Sequence, residues 1–195
     1  MPNVKDMKKT IKASDIPQDI IAQFDFPKPQ GNQPEEVMTL IGQMDKLLTP
    51  EQCYTVMEQQ GCNKAGSGAD REHREFGEMH KDKSLEERLA LLAESDLGHK
   101  GNYRLNDDGT LTIYFSIKAD DDSCRCVCHC IRRLEKGRGR KVVVPLTFCG
   151  CCAGHLRYTH KLSLGVDLRL KEIVSSPINS GGKDHCEFVF YKEVL

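Results

Sequence analysis

The chain has 195 residues, a net charge of -1 at neutral pH and a pI near 6.6, so no global field favours nucleic acid or an anionic membrane surface. No run approaches the ~18 apolar residues of a membrane span, and Met1-Pro2-Asn3-Val4-Lys5-Asp6 lacks the apolar core of an export signal. Tryptophan is absent and aromatics make up only 6%, too few for a base-stacking platform. The expectation is a cytoplasmic protein with no nucleic-acid or membrane partner, in whose reducing compartment cysteines read as ligands or redox groups rather than staples.

Residues 1–34 are polar and contain Pro2, Pro17, Pro27, Pro29 and Pro34. They read as an irregular N-terminal extension, with Phe24 and Phe26 docking on the body. A single α+β domain is expected over 35–195, helical over 35–98 and sheet-rich over 99–195. Val37, Leu40, Ile41, Met44, Leu47 and Leu48 recur at three- and four-residue steps and predict an amphipathic helix. Thr49-Pro50-Glu51 starts a second helix, with a hydroxyl cap, a proline at its first position and an early acid, ending near Gly61. Residues 63–69 read as a loop and Asp70 to Lys83 as a short exposed helix. Ser84 with Glu87 is a capping box for a helix lined by Leu85, Leu89 and Leu92.

The period then changes. Tyr103 to Leu105, the turn Asn106-Asp107-Asp108-Gly109 and Thr110 to Ile117 predict a hairpin with Leu111, Ile113, Phe115 and Ile117 on one face. Asp120-Asp121-Asp122 reads as a solvated turn, Cys124 to Leu134 and Val142 to Val144 as strands, and Arg132 to Lys141 as a basic loop. A helix over Thr147 to Ser163 closes on Gly165. The strand Val166 to Val174 turns Val166, Leu168, Leu170 and Ile173 inward. After a turn-rich loop, Cys186 to Tyr191 is the closing strand. Helices first, then a mostly antiparallel sheet with one late helix, is an α+β order.

Eight of the ten cysteines fall between Cys124 and Cys186. Cys124, Cys126, Cys128 and Cys130 alternate with other residues; on a strand they would share a face, roughly 6.5–7 Å apart. That is too far for all four to ligate one tetrahedral zinc without bending. Cys149 and Cys152 form a Cys-x-x-Cys unit before a helix, where the dipole favours thiolates. Cys151 lies between them, and His155 and His160 add imidazoles. Packing explains Cys53 and Cys62 best; Cys149, Cys151, Cys152 and Cys186 are better explained by metal or redox chemistry. Glu72, His73, Glu75, Glu78 and His80 read as a solvated helix face, since no His-Glu-x-x-His motif supports a site there.

Cys151-Cys152-Ala153-Gly154-His155, the helix end Leu164-Gly165, the strand Val166 to Glu172, the turn Ser180-Gly181-Gly182 and Cys186-Glu187-Phe188 together resemble the ending of the 4-vinyl-reductase-like domain. They are also similar to cysteine-rich bacterial proteins of the L-2-amino-thiazoline-4-carboxylic acid hydrolase group. The resemblance covers about residues 100–193 and implies a 4-vinyl-reductase-like, often homodimeric domain that binds a small hydrophobic or aromatic molecule. It also implies a zinc site, with Cys152 or Cys151, Glu172 and Cys186 at matching positions. Ser175 stands where the family carries a further Cys, so Cys149 or a member of the 124–130 row must substitute, because a hydroxyl is a poor zinc ligand.

The candidate ligands are therefore Cys149, Cys151, Cys152, Glu172 and Cys186, with Cys126, Cys128 and His155 as additional donors. Soft thiolates select zinc, or alternatively an iron–sulfur cluster, over magnesium or calcium. The reading is a metal-containing small-molecule-binding or sensing domain without catalysis. The alternatives are a metal-dependent hydrolase or Cys-based redox enzyme, for which Cys151 or Cys152 with His155 or His160 would be the reacting pair, and a docking role for the Arg132–Lys141 loop on an acidic partner.

Overall fold

The computed structural model describes residues 2–27, 34–62, 65–98, 102–115, 117–118, 123–126, 128, 131–132, 135 and 143–193. Asp120-Asp121-Asp122, Cys130, Val142 and most of the basic loop lie outside them. The N-terminal segment is helical rather than irregular. Val4, Met7 and Ile11 recur at helical spacing, and α1 (Val4–Ala13) buries all three while the Asn3 side chain accepts the Asp6 N–H. Pro17 does not break a helix; it precedes the short α2 (Gln18–Ile21), and Phe24 stacks on Phe26 with ring centroids 5.3 Å apart.

Four helices follow where periodicity and caps place them: α3 (Pro34–Leu47), α4 (Pro50–Glu58), α5 (Gly68–Met79) and α6 (Leu85–Glu94). Thr49–Gln52 and Ser84–Glu87 are both complete capping boxes. The exposed helix expected at Asp70 to Lys83 is instead amphipathic: α5 turns Asp70, His73 and Phe76 inward at three-residue steps. Charged neighbours hide this stripe from a reading by composition.

The hairpin forms β1 (Asn102–Leu105) and β2 (Leu111–Phe115); β3 (Ile117–Lys118) and β4 (Cys124–Arg125) make a separate small ladder. Strand conformation stops at Arg125. Ile131, Arg132 and Glu135 are helical and Val143–Pro145 is irregular, so the long strand over 124–134 and the one over 142–144 do not form. A 3₁₀ turn at Leu146–Cys149 leads into α7 (Gly150–Leu164), which ends on Gly165 in the left-handed region at φ 66°. β5 (Asp167–Ser175) and β6 (Cys186–Glu193) complete an antiparallel sheet of order β1-β2-β6-β5. The arrangement of helices and antiparallel sheet is α+β.

Two apolar cores result. One joins α1, α3 and α4 to Cys128, Ile131, Val144, Phe148 and Cys151. The other packs the inner sheet face, including Ile113, Leu170, Phe188 and Phe190, against Phe76, Leu92, Ala153 and Leu156 from α5, α6 and α7. Helix α7 fits between them because it carries Gly154: a Cβ there would lie 2.0 Å from the Glu58 carbonyl oxygen of α4. Among the described residues no helix is long and apolar enough to cross a membrane.

Candidate functional site

The first turn of α7 lies where the two cores meet. Cys149 closes the 3₁₀ turn and is buried in the sheet core, whereas Cys152, one turn on, packs against both cores. Cys186 is the first residue of β6, paired with Phe115 of β2, and is 3% exposed. Cys126 and Cys128 arrive from the segment that leaves the β4 ladder. The Cys128 N–H donates to Cys126 Sγ at 3.4 Å. Of the row, Cys126 and Cys128 reach the first turn of α7, while the Cys124 thiol lies 4.0 Å from the Lys183 carbonyl.

Four of these five thiols are linked in sequence. Cys126 hydrogen-bonds to Cys128 and Cys186, and Cys128 hydrogen-bonds to Cys152. Cys149 is within electrostatic reach of Cys126 and Cys128 and hydrogen-bonds to Ser176. The contacts form a chain from Cys186 through Cys126 and Cys128 to Cys152, with Cys149 beside it. They are not a closed ligand set, and among the described residues no three His, Cys, Asp or Glu side chains stand ready to hold a metal ion.

Three of the thiols, Cys126, Cys149 and Cys152, are held protonated. On Cys126 the hydrogen bond from Cys128 acts downward, but the contact with Cys186 and burial outweigh it and push the thiol up to about 12. Burial pushes Cys149 up to about 12 against the opposing bond from Ser176. Cys152 is raised well above its ordinary value, first by its bond to Cys128 and then by burial. The thiolate expected from the α7 dipole is therefore overturned. A half-charge at a helix end is worth at most about 2 kcal/mol, and taking a thiolate out of water beside other thiols opposes it.

The remaining predicted ligands lie elsewhere. Cys151 belongs to the N-terminal core, where its thiol donates to the Gln60 carbonyl at 3.3 Å and lies 4.0 Å from Cys62 Sγ. Glu172 is exposed on β5 and acts on Tyr54 and Lys171. His155 is half-buried on α7, with its backbone against Gly61. His160 is buried, its Nδ1 donating to the Leu156 carbonyl at 2.7 Å and its ring edge-on to Tyr103. His73, expected on a solvated face, is 4% exposed and bonds through Nδ1 to Ser163 Oγ at 2.6 Å. Cys53 fills the N-terminal core as expected.

Ser176 was not legible as a thiol partner, since nothing in a turn-rich loop marks one serine as buried. A cleft of 570 Å³ opens between α1 and α4, lined by polar side chains including Asp6, Lys9, Thr10 and Gln59. Compared with models of known protein families and with curated proteins, the chain matches none.

Proposed function

We propose that this chain is a binding or sensing module built around a soft metal ion, zinc in the first instance, held by four of the thiols Cys126, Cys128, Cys149, Cys152 and Cys186. The observation that carries this reading is the run of contacts that links Cys186, Cys126, Cys128 and Cys152, with Cys149 beside it, across three segments distant in sequence. Packing alone would scatter them through the cores, as it does Cys53. The donor set is all sulfur, which suits zinc or an iron–sulfur cluster and not a hard cation. A tetrahedral zinc with bonds of about 2.3 Å keeps its sulfurs about 3.8 Å apart, the range of a thiol–thiol hydrogen bond. Side-chain rotation of the linked thiols is the movement that would close such a set. A zinc ion held by four thiolates supplies structure rather than a reactive water, which favours binding over catalysis. The resemblance to 4-vinyl-reductase-like domains points the same way and carries the further proposal of a small hydrophobic ligand and a homodimer.

Elemental analysis of protein purified without added metal tests the reading. About one equivalent of zinc in a colourless protein is expected; a visible charge-transfer band with iron and sulfide would identify the cluster instead. Cys186→Ala should lose the metal and Cys53→Ala should keep it. A chain with only a trace of either metal and every thiol titratable, or one in which Cys53→Ala alone loses the metal, defeats the proposal. Because binding must expel protons from raised thiols, zinc affinity should also climb steeply with pH.

A further inference from the structure

We infer that Cys62 and Cys151 form a second, separate thiol site: a dithiol that a hydroperoxide oxidises to a disulfide joining the segment that follows α4 to the first turn of α7. Neither residue is needed by the proposed metal site, and the inference does not rest on it. Their sulfurs lie 4.0 Å apart although the residues are 89 positions apart in sequence. A disulfide requires about 2.05 Å between sulfurs, so the sulfurs must approach by about 2 Å, a distance that side-chain rotation can supply.

The backbone around the pair is also held close. Gly61, which precedes Cys62, rests on α7 so tightly that a Cβ would lie 2.8 Å from the Gly154 carbonyl carbon and 2.9 Å from the His155 nitrogen. On the other side, the Cys151 thiol is tethered to the Gln60 carbonyl at 3.3 Å. Gly61 and Gln60, the two residues before Cys62, are thus in contact with α7 and with Cys151 itself.

Exposure assigns the order of reaction. Cys62 is only partly buried and Cys151 is 1% exposed, so a small peroxide reaches Cys62 first. The Cys62 sulfur attacks one peroxide oxygen, the O–O bond breaks, and the departing oxygen takes the thiol proton and leaves as water or alcohol. Cys62 is left as a sulfenic acid. The Cys151 sulfur then attacks the Cys62 sulfur, the S–O bond breaks, and the hydroxyl leaves as water with the Cys151 proton. Two thiols lose two electrons and two protons, and one peroxide is reduced by two electrons. The product cross-links the segment after α4 to the turn of α7 that carries Cys152.

The test treats the intact protein with hydrogen peroxide, alkylates the remaining thiols and maps the digest by mass spectrometry without reductant. The expected result is one cross-linked Cys62–Cys151 peptide, loss of two of the ten thiols, and full recovery with dithiothreitol. Cys62→Ser should abolish the loss. Cys151→Ser should leave Cys62 as a sulfenic acid that a carbon-acid trap captures. The inference is overturned if the first disulfide lies among Cys126, Cys128, Cys149, Cys152 and Cys186, or if Cys62 is over-oxidised while Cys151 stays alkylatable. Wild-type mapping decides the matter even where a buried serine at 151 prevents folding. Zinc content measured on the same samples separates this result from the fate of the metal proposal.

Discussion

Asp70 and Glu58 are both buried carboxylates, and their environments pull them in opposite directions. The Tyr158 hydroxyl, above all, together with the Gly66 N–H at 3.0 Å and Arg74 at 3.2 Å, holds Asp70 down to about 2. A depressed acid contributes stability that is present above its unfolded value of 3.8 and lost as pH falls toward the folded value. Glu58 is raised above 4.5, chiefly by burial, against the opposing bond from the Leu170 N–H at 2.7 Å and the charge of Arg157. Its sign is the reverse: the folded state keeps the proton longer, so its contribution is full below 4.5 and fades as pH rises through the folded value. In urea midpoints measured from pH 2 to 8, Asp70→Asn should flatten the acid limb between about 4 and 2. Glu58→Gln, which retains an acceptor for Leu170, should remove a decline above about 4.5. Variants that track the wild type across both windows would refute these assignments.

At the scale of elements, the informative case is the contact of α4 with α7. Gly154 allows it, because any Cβ would collide with the Glu58 carbonyl oxygen, a backbone atom that cannot swing aside. Gly154→Ala should therefore cost about 3 kcal/mol or more, at or beyond the upper end of ordinary overpacking, and lower Tm by roughly 6–12 °C in a chain of this size. Calorimetry showing an unchanged Tm would mean the helices separate freely. The helices themselves were readable from the chain wherever a cap or a clean period marked them, as at Thr49, Ser84 and Gly165. Three stretches were not. The residues Val4, Met7 and Ile11 form a short stripe among lysines and prolines, and composition over 34 residues outvoted it. In α5 the inward set includes Asp70 and His73, so the buried face does not look apolar. The 124–130 row alternates as a strand does, yet among the described residues only Cys124 and Arg125 find pairing partners, in β3. The site was half legible for the same reason. Cys149, Cys152 and Cys186 could be grouped from helix and strand positions, but which side Cys151 faces depends on how α4 docks, and Glu172 is turned outward beyond a bulge between Leu170 and Glu172 in the β5–β6 pairing.

The two cores share elements rather than meeting across a linker. Helix α4 places Cys53, Val56 and Met57 in the N-terminal core, while Tyr54 packs on the sheet core and Glu58 accepts the Leu170 N–H of β5. Helix α7 does the same, with Cys151 on one side and Ala153 and Leu156 on the other, and Cys152 touching both. A helix with two buried faces cannot lose one core and keep its environment, so the two should unfold together. Ile11 of α1 and Leu92 of α6 are each fully buried, in different cores. Either Ile11→Ala or Leu92→Ala should cost about 2–5 kcal/mol. In each variant a single calorimetric transition should move down as a whole, with calorimetric and van't Hoff enthalpies equal. Two transitions, of which Ile11→Ala shifts only one and Leu92→Ala only the other, would show that the N-terminal helices fold as an independent layer and that α4 and α7 do not couple them.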